Sequence, residues 1–478
     1  MKMIINGKSV DASDGAVIDI INPATGKVFD TVPAATKEDI DKAVEAAQKG
    51  QKIWSKVPVS QKAEIMMKFV SLVERDKEDL ASTLSQETGK PITEARAEIG
   101  NIPIAFKGFS ERAKHLYGEI IHGDQEPGQD KHMLLTVKEP IGVIACVIPF
   151  NFPCDLFDQK VAPTLLAGNA AIVKPSTDNP LTLCKLTALL VEAGVTDGVI
   201  EIVTGRGSTV GSWLCTHPGV SAITLTGSTE VGIQTARNAA DHLAHIALEL
   251  GGNDAFIVLE DADVDLAVEE MVWGRMYNCG QVCCASKRFL IHNKLKDEFA
   301  HKVVERIKKI KIGDPADETT QLACLISEAA AKKIEKEVTL TVEQGGKIVL
   351  GGKRNGAYYE PTVLVDVPKT ADVAKDMEIF GPVVPIIGFD TADEAVEIAN
   401  SSKFGLCGCV FTRDMKKAFD ICSKLECGGT VINGASFFRS FEMPFGGYKF
   451  SGLGTEGVMS TFDEVTRTKT IVLKNIFL

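Results

Sequence analysis

The sequence predicts an α/β protein built on buried parallel sheets. Short apolar segments recur between residues 141 and 239, each followed by a stretch of helical periodicity. The segments are apolar on both faces, as strands covered by helices on each side must be. At 478 residues, with 45% apolar and 24% charged side chains, the chain is long enough for two or three domains and has a soluble globular composition.

The chain opens on a short strand candidate, MIINGK. Thr36 to Asp39, reading TKED, offers an N-cap hydroxyl with an acid three residues on, and helices are expected from about Lys37 to Gly108. KHMLLTVKE (131–139) reads as an extended arm, and Pro140-Ile141-Gly142 as a turn. Strands are then expected at 141–150, 169–175, 200–205 and 221–227, with helices near 157–167, 181–193, 208–216 and 229–239. Sheets of this kind bind ligands beyond the C-terminal ends of their strands. A second α/β region follows Glu249-Leu250-Gly251-Gly252, with strands at 254–260, 287–293, 382–389 and 429–435 and helices at 264–277 and 294–310. The tail TRTKTIVLKNIFL (466–478) alternates as one more strand, and so apolar an edge needs a partner, expected to be a second subunit.

The formal net charge is -12, from 64 acidic and 52 basic residues, which argues against a nucleic-acid partner. MKMIINGKSVDASDG has no apolar run after its lysines, and the longest apolar stretches are strand-sized, so neither a secretory signal nor a membrane span is expected. A cytoplasmic location follows as the expectation. Most of the 12 cysteines sit singly in apolar runs, Cys146, Cys184, Cys407 and Cys409 among them, where a free thiol packs as a small hydrophobe.

MYNCGQVCCASKR (276–288) is the exception, with Cys279, Cys283 and Cys284 within six residues. Its spacing leaves three readings open. A zinc site lacks a second ligand pair, since the nearest histidine, His292, lies in an apolar strand pattern. A disulfide between the adjacent Cys283 and Cys284 has unfavourable geometry. A thiolate nucleophile would need oxyanion donors and a group to activate water. Asn151 in IPFNFP and Glu249 in HIALELGG can supply these, although alone they also read as a turn residue and a surface acid.

Taken together, PFNFP (149–153), VKPS (173–176), LTGSTEVG (225–232), LELGG (248–252), NCGQVCCA (278–285), EIFGPV (378–383) and PFGGYKFSG (444–452) resemble the aldehyde dehydrogenase superfamily over essentially the whole chain. The resemblance implies a Rossmann-like cofactor domain at 1–121 and 140–248 and an α/β catalytic domain at 249–452. It further implies an oligomerisation arm and tail at 122–139 and 466–478, joined through a connecting segment at 453–465. It makes Cys283 the nucleophile, Glu249 the base and Asn151 the side-chain oxyanion donor, the Cys283 amide being the second donor. Cys279 and Cys284 become packing neighbours, and no metal is required. The implied reaction oxidises a short aldehyde to its carboxylic acid through a cysteine thiohemiacetal and thioester. Glu249 favours hydrolysis over transfer to coenzyme A.

There is no GxGxxG fingerprint, but TGRGSTVG (204–211) resembles the family's helix-opening loop. By resemblance, NAD or NADP would lie among Ile148, Pro149, Phe150, Lys174, Thr177, Gly207, Gly211, Thr226, Gly227, Ser228, Val231, Glu378 and Phe380. Phe150 stands where the family more often has tryptophan, keeping an aromatic ring but no donor. Thr177 stands where many NAD-preferring relatives have glutamate; with that charge gone and Lys174 retained, NADP is the favoured cofactor. Val282 replaces the arginine carried before the nucleophile by relatives acting on glyceraldehyde-3-phosphate, weakening that alternative. GASFFRSFEMPF (434–445) resembles the substrate loop, with Phe437 and Phe438 as walls and Arg439 as a reader of a substrate carboxylate or a structurally paired cation. Lactaldehyde and succinate semialdehyde are the expected substrates. The family commonly forms dimers or dimer-based tetramers, and a non-catalytic protein on the same fold is the remaining alternative.

Overall fold

A computed structural model describes residues 1–476; the last two residues of the tail lie outside them. Two large sheets organise the chain. The first has eight strands, ordered Lys8–Val10, Met3–Ile5, Ile200–Ile202, Ala170–Lys174, Val143–Val147, Ala222–Thr226, His245–Glu249 and Gly452–Leu453. Its central five are parallel, and the two N-terminal strands and Gly452–Leu453 close its edges antiparallel.

The double-sided apolarity of these strands has a direct structural cause. Val143 and Ala145 pack in a cluster with Ile40, Val44 and Leu214 on one face, while Ile144 and Cys146 join Phe69, Phe106 and Phe157 on the other. Alternate residues thus feed two cores, as a strand between two helical layers requires. The helical region before them divides into Lys37–Trp54, Val59–Arg75, Lys77–Thr88 and Ile92–Ala113. Thr36 caps the first with the expected reciprocal bonds to Asp39.

The second sheet has seven strands, ordered Lys347–Leu350, Thr362–Val365, Val383–Phe389, Ser286–His292, Asp254–Val258, Cys407–Phe411 and Gly429–Ile432. All neighbours are parallel except the first pair. The expected helix at 208–216 forms as a π turn, Gly207–Gly211, running into the short α-helix Ser212–Thr216.

The tail finds a first strand partner within its own chain. Thr466–Leu473 pairs over its full length with Met133–Pro140 of the same chain, which in turn pairs with Ile120–His122. The arm fills one edge of the tail strand, which is itself an outer strand of this three-stranded sheet, so its other edge has no strand partner among the described residues. Among the described residues, no helix is long and apolar enough to cross a membrane.

Candidate active site

In the first sheet the chain lays down Val143–Val147, then adds strands on one side and, from Ala222–Thr226 onwards, on the other. The order therefore reverses beside Val143–Val147, opening a crevice at the C-terminal strand ends. A cavity of about 480 Å³ lies there. All five parallel strands contribute to it: Ile148 to Asn151, then Lys174 with Thr177, Gly207, Thr226 to Ser228, and Glu249. Ser228 caps the helix Thr229–Ala240, accepting from the Val231 N–H at 3.4 Å. Such a helix start presents unpaired N–H groups to an anion.

The second sheet brings Cys283 to the same place from the opposite direction, just before strand Ser286–His292. The approach is sharply bent: Asn278, Cys279 and Gly280 all have left-handed backbone, with φ of 47°, 54° and 71°. At Gly280 a side chain could not fit, because a Cβ would lie 2.3 Å from the Gly381 carbonyl oxygen. The bend turns Asn278 to donate to the Asn151 carbonyl at 2.8 Å, and Lys90 donates to the same oxygen at 3.0 Å. Asn179 holds the Phe150 carbonyl at 2.9 Å. The Asn151 backbone is thus pinned, while its side chain makes no hydrogen bond among the described residues and lines the cavity.

The three clustered thiols differ in setting. Cys279 is buried and donates to the Ala323 carbonyl at 3.3 Å, Cys284 is buried in an apolar cluster, and Cys283 is half-buried. Contact with Cys284, then burial, holds the Cys283 thiol well above its ordinary value, with Glu249 and Lys287 acting in the opposite sense. Glu249 is 3% exposed, and neither carboxyl oxygen has a hydrogen-bond partner of ordinary geometry. Burial first, and then Cys283, pushes it well above the usual carboxylate range. Lys287 spans the site, donating to the Cys283 carbonyl at 2.5 Å and lying 3.2 Å from Glu378.

A second cavity, of about 300 Å³, adjoins the first and shares Asn151 and Cys283 with it. Aromatic side chains make one wall: Tyr277 stacks on Phe152 with centroids 6.1 Å apart, and Phe437 sits 4.9 Å from Trp273. Phe438 and Arg439 also line it. Asn101, Asp155 and Gln159 add polar groups to the lining.

Residues 10–471 match the model of the family described as the aldehyde dehydrogenase family. The chain belongs to the aldehyde dehydrogenase family. It is 37% identical over 457 residues to an NADP⁺ succinate-semialdehyde dehydrogenase of Escherichia coli strain K12, covering 95% of this chain and 94% of that protein. It is 36% identical over 476 residues to a lactaldehyde dehydrogenase of Methanococcus aeolicus, covering 98% and 99%. The crystal structure of an E. coli NADP-dependent enzyme superposes with a TM-score of 0.96 at 35% identity, covering 99% of this chain and 98% of that one. The protein is accordingly an NAD(P)-dependent aldehyde dehydrogenase.

In this dehydrogenase, Glu378 and Phe380 line the larger cavity with the other expected residues, but Gly211 and Val231 do not. Gly211 is buried in the π turn, and the Val231 side chain is 51% exposed on the helix beyond its cap. Sequence reading missed a further wall, the helix Glu328–Glu343, which brings Ala330, Lys333, Ile334 and Glu337 to this cavity. It also missed Asn101, Asp155 and Gln159; the i, i+4 spacing of the last two on one helix was the available signal.

Proposed function

We propose that this dehydrogenase oxidises a short aldehyde to its carboxylic acid at Cys283, with lactaldehyde or succinate semialdehyde as substrate. The observation that carries the reading is that Cys283 and Asn151 line both cavities, so one thiol faces a cofactor-sized space and a small aldehyde pocket together. The larger cavity fits a dinucleotide by its volume, its helix N-terminus and the buried Lys174 at the end of its strand. When bound, NAD(P) supplies a hydride acceptor.

The chain's own residues do the rest. Cys283 loses its proton towards Glu249 and adds to the aldehyde carbon, giving a thiohemiacetal alkoxide. Asn151 donates to that oxygen from a fixed backbone, with the Cys283 N–H as second donor. Loss of hydride from the tetrahedral carbon leaves a thioester on Cys283. Glu249, having released the Cys283 proton to solvent, then takes a proton from water, which attacks the thioester, and Cys283 departs as the thiolate while the carboxylic acid forms.

Thr177 supports NADP as the favoured cofactor. Its hydroxyl donates to the Gly205 carbonyl at 3.2 Å, and the neighbouring Asp178, whose charge acts on Lys174, does not line the cavity. Residues 1–121 with 140–248 are proposed as the cofactor domain and 249–452 as the catalytic domain. The arm 122–139 and tail 466–478 are proposed as oligomer contacts, joined through 453–465. The test is steady-state production of reduced nicotinamide from short aldehydes, with Cys283→Ala as control. Turnover lost in the variant is expected; unchanged turnover would refute the assignment.

A further inference from the structure

The smaller cavity is lined by aromatic side chains and by a few polar ones, of which Gln159 lacks partners. Gln159 is 1% exposed and lines the cavity, yet both its amide oxygen and its amide nitrogen are without a hydrogen-bond partner. A buried primary amide in that state is costly unless a ligand completes it. Four residues earlier on the same helix, Asp155 accepts from Asn101 Nδ2 at 3.1 Å, leaving further acceptor capacity beside Gln159. The three residues together offer donors and acceptors at close quarters, which is the requirement of a hydroxyl group.

The one basic side chain lining this cavity is partly engaged. Arg439 donates through Nη2 to Glu456 at 3.0 Å, and its guanidinium lies 4.0 Å over the Phe445 ring. A substrate carboxylate would have to compete with Glu456 for that guanidinium, whereas a neutral hydroxyl would satisfy Gln159.

We infer that Asn101, Asp155 and Gln159 read a hydroxyl on the substrate, so that the pocket selects short hydroxyaldehydes over alkanals and over aldehydes carrying a carboxylate. This rests on the proposed chemistry at Cys283 and adds the specificity of the same site.

The test compares kcat/KM for 2-hydroxypropanal, 3-hydroxypropanal, propanal and succinate semialdehyde with the full-length enzyme and both cofactors. At least one hydroxyaldehyde is expected to exceed propanal by about 10- to 100-fold, the factor corresponding to leaving a buried polar group unpaired. Gln159→Leu should collapse that ratio towards one, and Asn101→Leu should lower it in part. Propanal matching both hydroxyaldehydes, a preference for succinate semialdehyde, or a ratio unmoved in a folded Gln159→Leu would overturn the inference. If Gln159→Leu fails to fold, the wild-type ratio and Asn101→Leu decide. Absence of reduced cofactor with all four aldehydes would instead refute the underlying chemistry, whereas turnover without hydroxyl preference would refute only the specificity.

Discussion

Replacing Asn151 by alanine separates catalysis from folding in this site. The backbone carbonyl of residue 151 remains held by Lys90 at 3.0 Å and Asn278 at 2.8 Å, neither of which depends on the side chain. The side-chain amide makes no hydrogen bond among the described residues, so its removal should cost about 1 kcal/mol or less of stability. Its loss as an oxyanion donor should cost about 2.7–4 kcal/mol at the transition state, or about 10²- to 10³-fold in kcat. The assay is reduced-nicotinamide formation at saturating cofactor, paired with a urea unfolding curve on the same preparation. A fall below about 10-fold with the fold intact would refute the oxyanion role; a large drop in stability would refute the claim that the backbone alone fixes this loop.

Other consequences follow from the same geometry. Thr177→Glu should lower the NADP-to-NAD ratio of kcat/KM by about 10- to 100-fold, from one added like charge about 6 Å from a phosphate at an effective dielectric constant of about 20; an unchanged ratio contradicts the cofactor reading. Because Glu249 and Cys283 are both held well above their ordinary values, the reactive pair loses its proton only as pH rises, so kcat should climb from neutral into mildly alkaline pH. A pH profile that is flat or falls over that range contradicts it. Lys90 is fully buried and paired with Glu98, whose other oxygen accepts from the Cys154 N–H at 2.8 Å, so Lys90→Met should cost about 3–5 kcal/mol by urea unfolding. A loss below about 1 kcal/mol would contradict this.

The elements legible in the sequence were those with strong local pattern. Segments such as AITLT and AAIVK, apolar on both faces, became central parallel strands, and Thr36 capped its helix. His245–Glu249 was not expected as a strand because its N-terminal half is exposed or half-buried near the sheet edge, and so lacks that pattern. Glu328–Glu343 was missed as a cavity wall because its charged outer face dominates its sequence, and nothing local shows which distant surface its apolar stripe covers. The site was legible where motifs carried it, at Asn151, Glu249 and Cys283, which the fold brings together from different strand ends. Gln159 escaped because an amide in an apolar helix becomes informative only once its lack of partners is visible. The tail's intrachain partner escaped for a related reason: strand alternation shows that edges exist, and only the fold shows that Met133–Pro140 fills one of them.

The central claim is that a single thiolate carries the acyl group and that Glu249 releases it. The most direct measurement is mass spectrometry of Glu249→Gln, at a pH alkaline enough to ionise Cys283 without Glu249, after mixing with a short aldehyde and NADP, followed by peptide mapping across residues 276–288. An acyl adduct on Cys283, with Cys279 and Cys284 unmodified, is the result predicted. An adduct on either neighbouring thiol, or complete steady-state turnover in Glu249→Gln with no adduct, would contradict the account.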